Sequence, residues 1–329
     1  MGGDVDDRYF VVGGAGFIGS HFVDRLLGSG DASGVTVYDN FSSGQHWYLA
    51  EHDHDPRLTV VSAEVDDSAK LAEAMAGHQV VIHLASNPDI ARAATDPEID
   101  FRAGTALTQK VVEAMRKTGV PRILYASGSG VYGDLGETEA HEDFGPLVPI
   151  STYGASKLAG ETLIAAYCHM FGLTGRVFRF GNVVGARQTH GVGLDFLRRL
   201  VADPSRLSIL GDGWQSKSYV HVSDVVGAVL HIDRVTRSAS AYQVYNVATL
   251  DYVTVREIAA MAIDVVGARA EATVLAFSGG DRGWKGDVPI VRLNSGRLRA
   301  TGWENRYTAK QAIRQSLEEM RADVRAGRI

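Results

Sequence analysis

The chain has 329 residues, 45% of them hydrophobic and 22% charged, and a formal net charge of -6. That length carries one large α/β domain with a smaller lobe attached, and interspersed charges with no basic patch exclude a nucleic-acid surface or an anionic membrane as partner. One cysteine, Cys168, excludes an intramolecular disulfide and a thiolate metal cluster, so it is expected to pack in a core, no metal site is read, and a reducing cytoplasm is the expected compartment.

The start, Met1 to Arg8, is acidic and lacks a secretory apolar core. No later apolar run approaches the roughly 18 residues needed to cross a bilayer, so a soluble protein is expected. Tyr9 to Val12 is a short apolar, β-branched run that enters the glycine turn from Gly13 to Gly19. Phe22, Leu26 and Leu27 then recur at helical spacing, giving strand, glycine turn and helix. Gly13, Gly16 and Gly19 let the backbone turn tightly and approach a pyrophosphate, while the helix N-terminus offers free N–H groups to it. A second strand, Val35 to Asp39, ends in a carboxylate about 20 residues past Gly19, the position from which an acid bonds an adenosine ribose and repels a 2′-phosphate. NAD is therefore favoured over NADP.

Leu58 to Ser62 and Val80 to Leu84 are further strands, separated by a helix over Ser68 to Ala76. Glu64 or Asp66, just past the third strand, is placed to reach the adenine. A long helix spans Glu98 to Thr118, and Arg122 to Ser127 is the fifth strand. This alternation predicts a doubly wound parallel sheet, with ligands beyond the carboxyl ends of its strands. Tyr153 to Gly172 is the next helix and Arg176 to Phe180 the next strand. From Gly181 onward the sequence reads as glycine-punctuated loops and short elements of a second lobe, apart from a helix over Val222 to Thr236, a strand over Gln243 to Val247 that returns to the sheet, and a last helix near Ala309 to Arg325.

Tyr153 and Lys157 stand i and i+4 at the start of their helix, on one face, so the ammonium lies under the phenol ring. A free tyrosine titrates near ~10, and a base working near ~7 needs roughly 4 kcal/mol of preferential phenolate stabilisation. One lysine supplies part of that.

These motifs resemble the extended short-chain dehydrogenase/reductase family, in particular its nucleotide-sugar epimerases and dehydratases, and within them the UDP-glucose 4-epimerase-like branch. The resemblance covers nearly the whole chain. Its carriers are the glycine turn 13–19, the Asp-Asn-Phe-Ser-Ser-Gly run 39–44, His83 to Ala85, Val131 to Gly133, Tyr153 with Lys157, Arg179 to Asn182, and the run 211–219. It implies a Rossmann domain over 1–182 plus about 223–248, and a smaller, mixed α/β nucleotide-sugar lobe over about 183–222 plus 249–329. The cofactor it implies is NAD, held by Gly13, Gly16, Phe17, Ile18, Gly19, Asp39, Asn40, Ser42, Ser43, Gly44, Glu64, Val65, Leu84, Ala85, Tyr153 and Lys157. By the same resemblance, Lys157 holds the nicotinamide ribose and lowers the pKa of Tyr153, which takes the proton of a sugar hydroxyl. Asn182, Lys217 and Tyr219 match positions around the nucleotide and diphosphate. Arg282 and Arg292 are further diphosphate candidates, since Trp284 stands where a diphosphate arginine is expected, and Lys217 replaces an arginine with a point charge.

Two departures stand out. Relatives carry serine or threonine three residues before the valine of Val131-Tyr132-Gly133, where its hydroxyl bonds the reacting sugar oxygen; here that place is Gly128. Ser129 is the first candidate to replace it, Ser127 the second, brought into range by glycine-loosened backbone. Phe101 stands where relatives have asparagine, which implies a repacked helix interior. The implied activity is isomerase, C4 epimerisation of a UDP-hexose or UDP-hexuronic acid through a 4-keto sugar. A decarboxylase using Arg187 or Lys217 for a 6-carboxylate, a dehydratase, and a cofactor-binding regulator without turnover stay open. The family's paired long helices imply a homodimer.

Overall fold

The computed structural model describes residues 7–30, 32–87, 90–237, 239–284 and 286–329. The acidic start before Asp7, and Lys285 within the second-lobe glycine loop, lie outside the described residues. The chain divides into two compact units: 1–131, 152–179 and 226–245 form the first, and 132–151, 180–225 and 246–329 the second.

The first unit begins with β1 (Arg8–Val12), α1 (Phe17–Gly28), β2 (Gly34–Asp39), β3 (Leu58–Ser62), α2 (Ser68–Met75) and β4 (Val80–His83). A π-helical segment, Phe101–Ala106, leads into α3 (Leu107–Thr118), followed by β5 (Arg122–Gly128), α4 (Thr152–Phe171) and β6 (Thr174–Phe180). Seven strands form one sheet in which β11 (Tyr242–Val247) takes the outer place beside β6, in the order β11-β6-β5-β4-β1-β2-β3. β3, β2, β1, β4 and β5 run parallel, with Val12 in register with Tyr38 and with His83. The direction of winding reverses beside β1, and the loops leaving β1 and β4 open at that switch point, where open α/β sheets bind ligands. Phe10, Tyr38, Leu71, Met75, Val111, Met115, Ile123 and Ile164 fill the core on one face, with Cys168 among them. Burial pushes the Cys168 thiol up to about 11, as suits a packing role.

The long helix read from the sequence is present from Ile99 to Thr118, wound as a π-helix over Phe101–Ala106, but the expectation for Phe101 is corrected. Phe101 is 61% exposed, so no helix interior has been repacked around it. The segment widens to π winding where Gly104 comes against Ser156 of α4, an approach that leaves no room for a Cβ.

The second unit carries helices and strands beyond those read from the sequence. After β7 (Asn182–Val184) come α5 (Val192–Ala202), β8 (Arg206–Ile209), β9 (Ser216–Lys217) and β10 (Tyr219–His221), and α6 (Val222–Val235) leads back to the first unit. Following β11 are β12 (Val253–Thr254), α7 (Val255–Val266), β13 (Val274–Phe277), the short α8 (Gly296–Arg299) and α9 (Ala309–Arg325). α5 buries Leu194, Leu197 and Leu200 against Ile258 and Ile263 of α7 and Ile313 and Leu317 of α9. Thr254 with Glu257, and Thr308 with Gln311, form capping boxes that fix where α7 and α9 start. Among the described residues no helix is long and apolar enough to cross a membrane.

Candidate active site

The glycine turn after β1 is built for close approach. Gly13 has φ +83°, and a Cβ there would press on the backbone of Ala85; one on Gly19 would strike the Gly13 carbonyl and Gly14. Gly16 caps α1 without a side chain, and no acid occupies the helix's first turn, so its amides and positive dipole face outward unclaimed by a cap. Asp39 ends β2 beside this turn, buried, its Oδ2 accepting from the Ala15 amide at 2.9 Å and its Oδ1 from the Phe41 amide at 2.8 Å. Burial raises its pKa, against the two amides that lower it. Gly44 folds the 40–44 loop onto Ala15 and Asp39, where a Cβ would meet Ala15. Asn40 donates to the Glu64 carboxylate at 3.1 Å and its Oδ1 takes the Ser42 amide, tying Glu64, Asn40 and Ser42 into one rim above β2 and β3. Val65 is buried beneath that rim, and Leu84 and Ala85 both donate their amides to the Val12 carbonyl. The residues read from sequence as a dinucleotide site thus lie around one turn, a capless helix end and a buried acid, and they fit NAD.

Beyond the ends of β4 and β5, α4 brings the second group. Lys157 is buried, and its ammonium donates to the Ala126 carbonyl at 2.8 Å while lying 5.6 Å from the Tyr153 ring centroid and 5.3 Å from that of Tyr125. Burial lowers Lys157 to about 8, against the pull of Glu161 and Asp100. Tyr153 is part exposed at its surface, yet the protein around its hydroxyl raises the phenol to about 12; a hydrogen bond from Ser86 opposes this and the Asp100 carboxylate adds to it. Burial, not Lys157, therefore sets the phenol. His83, fully buried, is lowered to about 3 by burial and then by Lys157, so it is neutral at physiological pH.

The two replacement serines differ. Ser127 donates its hydroxyl to Glu161 at 2.5 Å, and Glu161 also takes a bidentate pair from Arg179, so the Ser127 donor is held inside a buried ion pair. Ser129 opens a 3-10 turn, Ser129–Tyr132, at the carboxyl end of β5 and is part exposed.

In the second unit, β7 and β10 pair Asn182 with Tyr219 in register, and the Asn182 side chain bonds the buried Tyr219 phenol, whose pKa burial raises. Lys217 donates to Asp287 at 2.7 Å. Arg282 donates to the Asp287 carbonyl at 2.7 Å and pairs with Asp134 at 2.6 Å. Arg292 donates to the Ser216 carbonyl at 2.9 Å and to Glu137 at 3.1 Å, its guanidinium 4.0 Å from the Tyr252 ring centroid. Lys217, Arg282 and Arg292 are thus gathered about residues 216–217 and 287, each beside a carboxylate.

A family profile described as NAD dependent epimerase/dehydratase family matches residues 9–248. The chain belongs to that family. The UDP-glucose 4-epimerase of Mycolicibacterium smegmatis is 32% identical over 322 residues, 95% of this chain and 98% of that protein. A UDP-galactose 4-epimerase of solved structure is 34% identical with a TM-score of 0.84, over 96% of this chain and 99% of that one. A dTDP-glucose 4,6-dehydratase from Streptomyces venezuelae, solved with NAD bound, gives a TM-score of 0.86 at 27% identity, over 96% and 97% of the two chains.

Sequence reading of this epimerase/dehydratase family member missed three residues. Asp100 is buried and takes hydrogen bonds from Asn87 at 2.9 Å and Thr152 at 2.6 Å, while its carbonyl takes one from Ser156 at 2.7 Å. That clamp ties the loop after β4 to the first turn of α4. Ser86 and Glu161 are the others. Glu161 carried a signal, since it continues the i, i+4 row of Tyr153 and Lys157; Asp100 and Ser86, in loop and turn, carried none.

Proposed function

We propose that the chain is an NAD-dependent nucleotide-sugar epimerase that inverts C4 of a UDP-hexose or UDP-hexuronic acid through a transient 4-keto sugar. The observation that carries this is Lys157, fixed on the Ala126 carbonyl beneath Tyr153 in the same unit as the dinucleotide turn. Bound NAD supplies the hydride acceptor and returns the hydride at the end of the cycle. Tyr153 takes the proton of the 4-hydroxyl and returns it to the same oxygen once the ketosugar has turned in the pocket to take the hydride back on the other face of C4. Lys157 adds positive charge next to the phenolate and donates to the nicotinamide ribose. Ser129, whose hydroxyl is not held by Glu161 as that of Ser127 is, bonds the reacting sugar oxygen. Asp39 bonds the adenosine ribose and repels a 2′-phosphate. The first unit holds NAD; Asn182, Lys217, Tyr219, Arg282 and Arg292 of the second hold the nucleotide and diphosphate.

The dehydratase likeness is carried by sequence as well as by fold, but dehydratases of this family place Asp-Glu where this chain has Ser129-Gly130, which leaves no acid there to eliminate water. A homodimer through α3 and α4 is supported by the exposed Phe101, Met170 and Phe171 of these segments, and a cytoplasmic location by the lone thiol.

Incubating the NAD-loaded protein with UDP- and dTDP-sugars and resolving products by NMR tests the reading. The C4 epimer is expected. A 4-keto-6-deoxy sugar would mean a dehydratase, a pentose with carbon dioxide a decarboxylase, and no product from any sugar a regulator.

A further inference from the structure

Ser127 turns its donor into the protein, onto Glu161 at 2.5 Å. β4 pairs with β5 only as far as His83 opposite Tyr125, so Ala126 and Ser127 run past the end of β4. Two bonds to α4 meet this overhang. The Lys157 ammonium donates to the Ala126 carbonyl at 2.8 Å, its one hydrogen-bond partner among the described residues. One turn further along α4, Glu161 takes the Ser127 hydroxyl, and Arg179 of β6 fixes that carboxylate with Nε 3.0 Å from Oε1 and Nη2 2.7 Å from Oε2. Ser127, Glu161, Arg179 and Lys157 are all buried. The Ala126 carbonyl and the Ser127 nitrogen share one peptide plane, so anchoring Ser127 limits where that carbonyl can point.

We propose that Ser127 is a positioning residue for Lys157: anchored on Glu161, it holds the Ala126 carbonyl where that oxygen takes the ammonium and keeps it under Tyr153. This rests on reading Tyr153 and Lys157 as the working pair. A carbonyl that accepts from an ammonium favours the charged form, so the anchor opposes the burial that lowers Lys157. Gly128, next along the overhang, has no side chain to take over the anchor. The other groups facing Lys157 act in other ways. Tyr153, from the same helix, and Tyr125, from β5, present their rings to the ammonium. His83, from β4, is a buried neutral imidazole. Asp100, from the turn before the π-helical segment, and Glu161 favour the ammonium by charge.

The test uses the NAD-loaded full chain with UDP-glucose as probe. In Ser127→Ala the ammonium loses its fixed acceptor. The falling, alkaline limb of the pH–rate profile is then expected to move down by about one pH unit, with kcat about tenfold lower on that limb and KM changed less than about twofold. NMR of ε-carbon-labelled lysine, with Lys157→Met assigning the resonance, reads the same downward shift without turnover. Ser127→Thr keeps the donor and is expected to keep limb and resonance at the parental positions. A resonance that titrates in Ser127→Ala where it does in the parent overturns the proposal, even where stability or kcat falls, because the serine would then only pack. A raised KM with that resonance unmoved would place Ser127 at the sugar and overturns it as well. An active Tyr153→Phe would instead overturn the base reading, while the lysine titration still decides on Ser127.

Discussion

Glu161 and Arg179 form a buried bidentate ion pair, with Nη2 2.7 Å from Oε2 and Nε 3.0 Å from Oε1, one turn of α4 beyond Lys157. Ser127 completes it. Removing the charge of one partner leaves the other buried and uncompensated, which costs about 3–5 kcal/mol. Glu161→Gln is expected to lose that much unfolding free energy in urea. Ser127→Ala removes only a neutral donor, and a loss of about 1–2 kcal/mol is expected. Equal, small losses in both would show that the pair is not what joins α4 to β6.

Lys157 makes stability depend on pH with a definite sign. Its ammonium is lowered by burial from 10.5 to about 8. Below pH 8 both folded and unfolded chains carry the proton, and the burial penalty is fully present; between about 8 and 10.5 only the unfolded chain keeps it, and the penalty fades. At about 1.4 kcal/mol per pH unit, the parent should gain on the order of 3 kcal/mol over Lys157→Met across that window. Denaturant unfolding of both proteins at stepped pH checks this, and a difference that is flat with pH contradicts the burial of a charged lysine.

Asp39 offers a separate readout. Asp39→Ala removes the carboxylate that holds the Ala15 and Phe41 amides and faces the proposed ribose site. NAD affinity should fall and the preference for NAD over NADP should shrink by about tenfold, a like-charge repulsion having gone. Unchanged discrimination in a calorimetric titration with both cofactors would count against its ribose role.

Lys217, held on Asp287 at 2.7 Å, is the point charge of the proposed diphosphate site. Its contact is present in substrate and transition state alike, so Lys217→Met should raise KM for the nucleotide-sugar about tenfold with kcat within about twofold. A fall in kcat at constant KM would place Lys217 at the reacting sugar instead.

The sheet was legible because each of its first five strands is a β-branched run closed by a turn signal, and the dinucleotide turn because glycine spacing has a steric cause. α5 and α7 were not, because glycine-rich loops on either side masked the leucine and isoleucine periodicity that tertiary packing then used. Phe101 was misplaced because the helix there widens, so the residue rotates out to solvent. Tyr153 and Lys157 were readable as a pair from spacing alone. Their surroundings were not: Asp100, bonded to Thr152 beside the tyrosine, comes from more than 50 residues earlier in the chain, and no local pattern announces such a contact.

The proposed site's central element is Tyr153, read as the proton acceptor from the sugar. Tyr153→Phe keeps the ring over Lys157 and removes only the hydroxyl. Loading this variant with NAD and following nicotinamide reduction and C4 inversion of UDP-glucose in the same sample tests it most directly. The expected result is NAD bound as in the parent, with inversion slowed by at least about a hundredfold; inversion at the parental rate would contradict it.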